Sequence, residues 1–440
     1  LYSDELFDQT PTMKTYLILL QFSVCGLFFT QSKAQISYFP PMQGDEWASE
    51  NYQNFLYDST YTDSLHAFLE SKDSKAFIVV HDGKMVDETY FGSFTQDSFW
   101  YWASCGKSLT SFLMGQALDQ GLIQLDDKVS DHLGTGWTSC TPQQEDQIKL
   151  HHILSMSSGL DGQVPNSDCT DPSCFLFKGD AGSLWFYHNA AYYMNHHVLE
   201  AASGKTLQAF TTQNLSFKSG LTGLWVGSVF FSKPRSAARF GLLMLNNGVW
   251  NGDSLLKNRD YMQEMTSSSQ SMNPAYGRLF WLNGKDTLMI PGSYVGLAMN
   301  LNEEAPIDMY AALGKNDQKI YIVPSQKLVI VRMGNDPGDG LLGPSSFDTE
   351  LWRHINRWRQ VPMGLYQTSE TQPVFPNPGD SYLQIAENAE SVRLYDMQGH
   401  AIQCALQDQR MNTRLVPAGI YILRYSIGTV IHTQKIILQH

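Results

Sequence analysis

Ten residues, Tyr101–Thr110 (YWASCGKSLT), carry two overlapping chemical signatures. Gly106-Lys107-Ser108 reads like the end of a phosphate-binding loop, whereas Ser104-x-x-Lys107 pairs a hydroxyl with an amine that can take its proton. A phosphate loop needs a glycine five residues before Gly106, so that backbone N–H groups can wrap the phosphates. Tyr101 stands there, and its side chain blocks the wrap. The Ser-Lys reading survives. On a helix the three-residue spacing puts both side chains on one face, a turn apart. The serine then sits at the positive helix end, where free N–H groups can hold a developing oxyanion. A lysine withdrawn from water loses affinity for its proton and becomes a base. A motif this short recurs by chance. Ser254/Lys257, after the turn-rich NNGVWNGD, is a second copy and reads as incidental.

Tyr187-x-Asn189, within WFYHNAAYY, is the other constellation. The phenol can relay a proton to a leaving group, and the carboxamide can hold a substrate amide. Tyr52/Asn54 and Tyr193/Asn195 share the pattern, but the first lies upstream of the serine and the second falls inside an expected helix. Asn189 has a plainer reading as a helix N-cap. The histidines His151, His152, His188, His196 and His197 lack carboxylates or cysteines at ligand spacing, so no metal site is expected.

The elements that must position these residues follow from periodicity. Ala76–Gly92 and Lys319–Gly334 each read as two strands around a turn, at Asp82-Gly83 and Pro324-Ser325-Gln326. Between them the pattern is helical: an amphipathic helix from Ser104 with Leu109, Phe112, Leu113 and Ala117 on one face, then helices over 190–204 and 235–248. Strands from both chain ends with helices between them predict an α+β fold, an antiparallel sheet closed by the two chain halves with a helical insert.

The formal charge of −13 argues against nucleic acid as a partner. From Met13 one lysine precedes an apolar run and then Ser32-Lys33-Ala34, the pattern of a secretory signal peptide over 13–34. The run is short of the ~20 residues a membrane span needs, so no transmembrane anchor is expected. Residues 1–12 read as an over-extended start, and the main folded part as 35–365. Export permits disulfides. Cys169 and Cys174 can close a small loop, while Cys105 reads as a buried, inert thiol. The proline-bearing stretch 366–380 reads as a linker, and the short strand-like runs to residue 440 as a small β-sandwich.

Ser104-x-x-Lys107 heading a helix, LHHILSMSSGL (Leu150–Leu160) and then YHN resemble the serine beta-lactamase and penicillin-binding-protein superfamily. The nearest branch is similar to class C beta-lactamase-related esterases, D-aminopeptidases and 6-aminohexanoate-dimer hydrolases. ARFGLLMLNNGVWNG, YGRLFWLNGK and ALGKNDQKIYIVPSQKLVIVRMG resemble its later landmarks. The resemblance implies a beta-lactamase/transpeptidase-like fold, Ser104 as nucleophile, Lys107 as its base and Tyr187 as proton relay. It further implies Asn189 as substrate-positioning, an oxyanion site at the Ser104 N–H and near Gly314-Lys315, and no cofactor. The third family motif begins with a cation, and here the matching Ala312-Leu313-Gly314 has none. That favours a small ester or amide substrate. Two alternatives stand beside it: a peptidoglycan- or beta-lactam-active enzyme, and a catalytically silent binding protein. The tail resembles the C-terminal sorting domain of the Bacteroidetes type IX secretion system, which folds as an immunoglobulin-like sandwich. It implies that machinery as a partner and an exported, secreted or surface location.

Overall fold

The computed structural model describes residues 36–338, 344–359, 381–385, 389–396, 401–427 and 430–439. The expected leader (13–34), the residues before it and the whole expected linker (366–380) lie outside them.

The helix α1 (Thr62–Ser71) leads into β1 (Ser74–His81) and β2 (Lys84–Tyr90). Asp82 and Gly83 turn between them with φ of 47° and 89°, the left-handed pair that a two-residue hairpin requires. Then come α2 (Cys105–Asp119), α3 (Asn189–Ser203) and α4 (Pro234–Leu245). The chain closes with β3 (Trp281–Leu282), β4 (Tyr310–Gly314), β5 (Gln318–Val323), β6 (Leu328–Gly334) and α5 (Ser346–Trp358). The sheet order is β2-β1-β6-β5-β4-β3, antiparallel throughout. N-terminal β1 pairs with late β6, from Val80↔Val329 to Ala76↔Met333, so the two chain halves do close one sheet.

Strands β5 and β6 are buried along their whole length, which explains why IYIV and LVIV run without alternation. Helix α4 packs on β1, β5 and β6. It needs Gly241 to do so, since a Cβ there would stand 2.4 Å from Val329 Cγ1.

At the start of β5 lies a buried ionic cluster. Lys319 Nζ is 2.7 Å from Asp317 Oδ1 and 2.8 Å from Asp348 Oδ2 at the start of α5. Burial alone would depress this lysine's proton affinity, but the two carboxylates outweigh it and raise the pKa. Tyr321 donates a hydrogen bond to Asp348 as well.

The expected amphipathic helix is corrected. Every residue of α2 from Cys105 to Ala117 is buried, so the helix has a core contact on all sides and only a weak polar face.

Among the described residues of the tail, seven antiparallel strands form a three-stranded and a four-stranded sheet. Their own core holds Leu383, Ile385, Leu394, Met411, Leu423 and Ile436. Three of the strands, at 401–402, 406–407 and 410–412, are only two or three residues long.

Candidate active site

The backbone before Ser104 is strained. Ala103 has φ 47°, a conformation that costs an L-residue roughly 1–2 kcal/mol. It turns the chain out of the short strand Trp100–Tyr101 into α2, for which Ser104 is the N-cap. The N–H groups of Cys105, Gly106 and Lys107 bond back to the carbonyls of Trp102, Ala103 and Ser104 at 3.0, 3.2 and 3.0 Å. The first turn therefore offers fewer free donors than a helix N-terminus usually does. The Ser104 N–H itself has no protein acceptor among the described residues.

Lys107 is 5% exposed. Its Nζ donates to Ser104 Oγ at 3.1 Å and to Asn189 Oδ1 at 3.0 Å. The rings of Tyr192 and Tyr187 lie 4.5 and 5.0 Å from the same nitrogen. Burial pushes the Lys107 pKa down to about 7, against an opposing pull from Asp168. That aspartate is exposed, immediately before the loop closed by the Cys169–Cys174 disulfide, and accepts a 3.0 Å hydrogen bond from the Tyr193 hydroxyl. The same stretch is tied to α3 by Ala190 N donating to Ser167 O.

Asn189 is not the N-cap. His188 caps α3, its Nδ1 accepting from Ala191 N at 3.3 Å. Asn189 is thereby free to turn its oxygen to Lys107, and an amide whose oxygen is so engaged presents its NH₂ as the remaining donor group. Tyr187, one residue before the cap, has its phenol pKa raised by burial, an effect offset in part by hydrogen bonding with the Ser104 and Tyr276 side chains. Its ring stacks on Trp281 of β3, 5.9 Å between centroids and 16° from parallel.

Strand β4 completes the geometry. The edge strand β3 covers only Tyr310 and Ala311, leaving Ala312–Gly314 with an open edge. A Cβ on Gly314 would stand 2.6 Å from Trp102 O and 3.1 Å from Ser104 N, so only glycine allows β4 to approach the serine this closely. Ala312, two residues back, shares that face by strand alternation and is 1% exposed. Lys315 is exposed in the turn beyond the strand, where Asn316 and Asp317 take left-handed φ of 59° and 53°. Arg332 and Gln318 hold this turn, donating to Asn316 O at 2.7 and 2.9 Å. Cys105 ties it to α2, its Sγ 3.1 Å from Gln318 O, and burial raises that thiol's pKa.

Thus Ser104, Lys107, Tyr187 and Asn189 come together, with Gly314 against the Ser104 amide, while Lys315 joins none of them by a hydrogen bond or ion pair given by the structure. Ser254 instead donates to Leu256 O in a short hairpin. Of the histidines, His196 bonds to Thr110 and Tyr192, and burial holds its pKa down to about 3. Sequence reasoning assigned no part to Tyr192, Asp168, Tyr276 or Trp281. Tyr276 and Trp281 stand in the quoted landmark YGRLFWLNGK, but nothing local shows which side chain they meet.

Comparison with known proteins identifies the family and the fold. The beta-lactamase family model matches residues 69–345, and a secretion system C-terminal sorting domain matches 373–439. An uncharacterized protein of Alkalihalophilus pseudofirmus is 21% identical over 306 residues, 59% of this chain and 83% of its own length. Among solved structures, a 6-aminohexanoate-dimer hydrolase candidate from Bacillus anthracis aligns with TM-score 0.53 at 18% identity, over 72% of this chain and 87% of that one. A beta-lactamase candidate from Bacteroides dorei gives 0.55 at 16%, over 69% and 99%. At such identities these structures speak for the fold alone. The sorting domain marks the chain for type IX export to the cell surface or beyond, and no helix among the described residues is long and apolar enough to cross a membrane. Its family match, spanning well over half the sequence, makes this chain a member of the beta-lactamase family, a serine hydrolase fold joined to a sorting tail.

Proposed function

We propose that the chain is an exported serine hydrolase that cleaves a small ester or amide through an acyl-enzyme on Ser104. The observation that carries this reading is the 3.1 Å contact between Ser104 Oγ and a buried lysine whose pKa lies near 7. Near neutral pH a substantial share of Lys107 is then the free amine, able to accept the serine proton as Oγ attacks the carbonyl. The resulting oxyanion is held by the Ser104 N–H and by a backbone N–H at the open edge just beyond Gly314. Tyr187 protonates the leaving group and later takes a proton from the water that releases the acyl chain. The Asn189 NH₂ holds the substrate's carbonyl side. The lack of a cation at Ala312 favours a substrate without the carboxylate that such a cation would bind. The aligned 6-aminohexanoate-dimer hydrolase candidate, named for an amide substrate, is consistent with this class.

The test is intact-mass labelling of the full chain with a fluorophosphonate, beside Ser104→Ala, followed by p-nitrophenyl esters, D-amino-acid amides and nitrocefin. Labelling lost in the variant together with ester or amide turnover supports the reading. Acylation by nitrocefin without ester turnover transfers it to the beta-lactam-active alternative. No adduct and no turnover with any probe leaves the silent binding protein.

A further inference from the structure

The second oxyanion donor, the N–H just beyond Gly314, belongs to a turn whose side chains have so far had no part. The β4–β5 hairpin closes in three residues, Lys315-Asn316-Asp317, with Gly314 paired to Gln318. Asn316 and Asp317 both take left-handed φ, which Asn and Asp tolerate better than other residues with a side chain. Backbone shape alone would account for an asparagine whose amide faced water. The Asn316 amide instead reaches across 215 positions of sequence, its Nδ2 donating to the Tyr101 hydroxyl at 2.8 Å.

Both ends of that bond are held. Tyr101 pairs with Phe231 in the short strand that leads to the nucleophile, and its ring meets those of Trp100 and Phe231 at 5.4 and 6.2 Å. Ser104 follows three residues later. At the other end, the Asn316 carbonyl accepts from Arg332 and Gln318. Arg332 is fully buried, and its other hydrogen bonds go to Asp317 O, Lys72 O, Asn335 O and Ser74 Oγ. Asn316 thus joins the sheet, through its backbone, to the segment carrying the nucleophile, through its side chain. Gly314, where β4 meets the Ser104 amide, is two residues away.

We propose that Asn316 is a positioning residue: its hydrogen bond to Tyr101 fixes the N–H beyond Gly314 relative to that of Ser104, so that both converge on one oxyanion. The inference rests on the acyl-enzyme reading above. An oxyanion forms twice in that reaction, when Ser104 Oγ adds to the substrate carbonyl and when water adds to the acyl carbonyl. Each time the carbonyl π electrons move onto oxygen, and they return as the leaving group, then Ser104 Oγ, departs. The neutral carbonyl of the bound substrate draws on these donors less than the oxyanion does. Asn316 therefore acts on kcat rather than on KM, and it does so whichever half of the reaction limits turnover.

The experiment breaks the bond from either end in the full chain, with Asn316→Gly and Tyr101→Phe, and measures kcat and KM on p-nitrophenyl butyrate. Glycine adopts the left-handed turn more readily than asparagine, and phenylalanine keeps the ring contacts. Each variant should lower kcat by about 3–10-fold, the factor that a neutral hydrogen bond represents, short of the ~100–1000-fold of a lost oxyanion donor. KM should stay within about twofold, and the double variant should be no slower than the slower single one. Propylboronic acid accepts the Ser104 Oγ electron pair into a tetrahedral adduct, the Oγ proton passing to Lys107; its affinity should fall by the same factor as kcat. An unchanged kcat in either folded variant, a change confined to KM, an unchanged boronate affinity, or losses that multiply in the double variant overturn the proposal while leaving the reaction intact. Should one variant not fold, the other decides alone. If Ser104→Ala matches wild type, or wild type turns over no ester or amide, the underlying reading fails and the proposal with it.

Discussion

Replacing Lys107 by methionine tests whether the site rests on a lysine that is neutral near pH 7. The fall from the ordinary 10.5 to about 7, at about 1.4 kcal/mol per pH unit, makes the native ammonium roughly 5 kcal/mol less favourable than that of the unfolded chain. The sign follows from proton counting. Below pH 7 both states hold the proton and the whole cost is present. Between 7 and about 10.5 the unfolded chain binds more protons than the native one, so stability rises with pH. Of the ~5 kcal/mol, about 2.3 should be relieved between pH 7 and 9. Lys107→Met abolishes this dependence, whatever constant offset it adds by leaving Asn189 Oδ1 without its donor. The assay is urea unfolding at both pH values followed by tryptophan fluorescence. All ten tryptophans lie between Trp47 and Trp358, so the signal reports the hydrolase part and not the tail. The wild-type gain from pH 7 to 9 should exceed that of the variant by about 2–3 kcal/mol. In parallel, log kcat/KM should rise with unit slope toward a plateau above pH 7. Matching pH dependences of stability, or a kinetic limb near 10, would refute a depressed Lys107.

Two neighbours should move that limb in opposite directions. Asn189→Asp places a carboxylate 3.0 Å from the ammonium and should raise the limb by about 1–3 pH units, with lower activity at pH 7. Asp168→Asn removes a charge that favours the ammonium and should lower it, more weakly because Asp168 is exposed; pH–rate profiles read both. Gly314→Ala drives a methyl group into Trp102 O and the Ser104 amide. It should cut kcat by about 100–1000-fold, the range for losing one oxyanion donor, with Ser104 still present by intact mass. A near-normal kcat would remove β4 from the oxyanion site.

The hairpins and helix ends were legible because they are local. Asp82-Gly83 announces its own turn, Gly204 ends α3 with φ 64° as a left-handed C-cap, and the Ser104/Lys107 spacing needs only one helical turn. What escaped depends on distant partners. In α2 the spacing of Leu109, Phe112, Leu113 and Ala117 marks one apolar face, and Ser108, Thr110, Ser111 and Gln116 off that face look solvent-directed. Each instead finds an internal partner, such as Leu279 O for Ser108 and Tyr192 for Thr110. Asn189 looked like a cap because the real cap, His188, accepts through a ring nitrogen. The two-residue strand β3, which brings Trp281 to Tyr187, is too short for any periodicity to register. The missing cation at Ala312 was visible, but its face toward Ser104 emerged only from the approach of Gly314.

The pairing of β1 with β6 bears on when this chain becomes reactive. Arg332 of β6 reaches Ser74 of β1, 258 positions away in sequence, and the strand that meets Ser104 lies just before β5 and β6 in the chain. Until those last strands have been made and docked, Ser104 has no neighbour at Gly314 and the sheet has no middle. A chain caught partway through synthesis therefore carries the serine but not the opposing edge that its proposed chemistry needs. Contacts of such long range also form slowly, which widens the interval for a protein that must cross membranes before it works. In this architecture the order of residues along the chain acts as a delay, holding a hydrolytic centre unassembled until nearly the whole hydrolase domain is present.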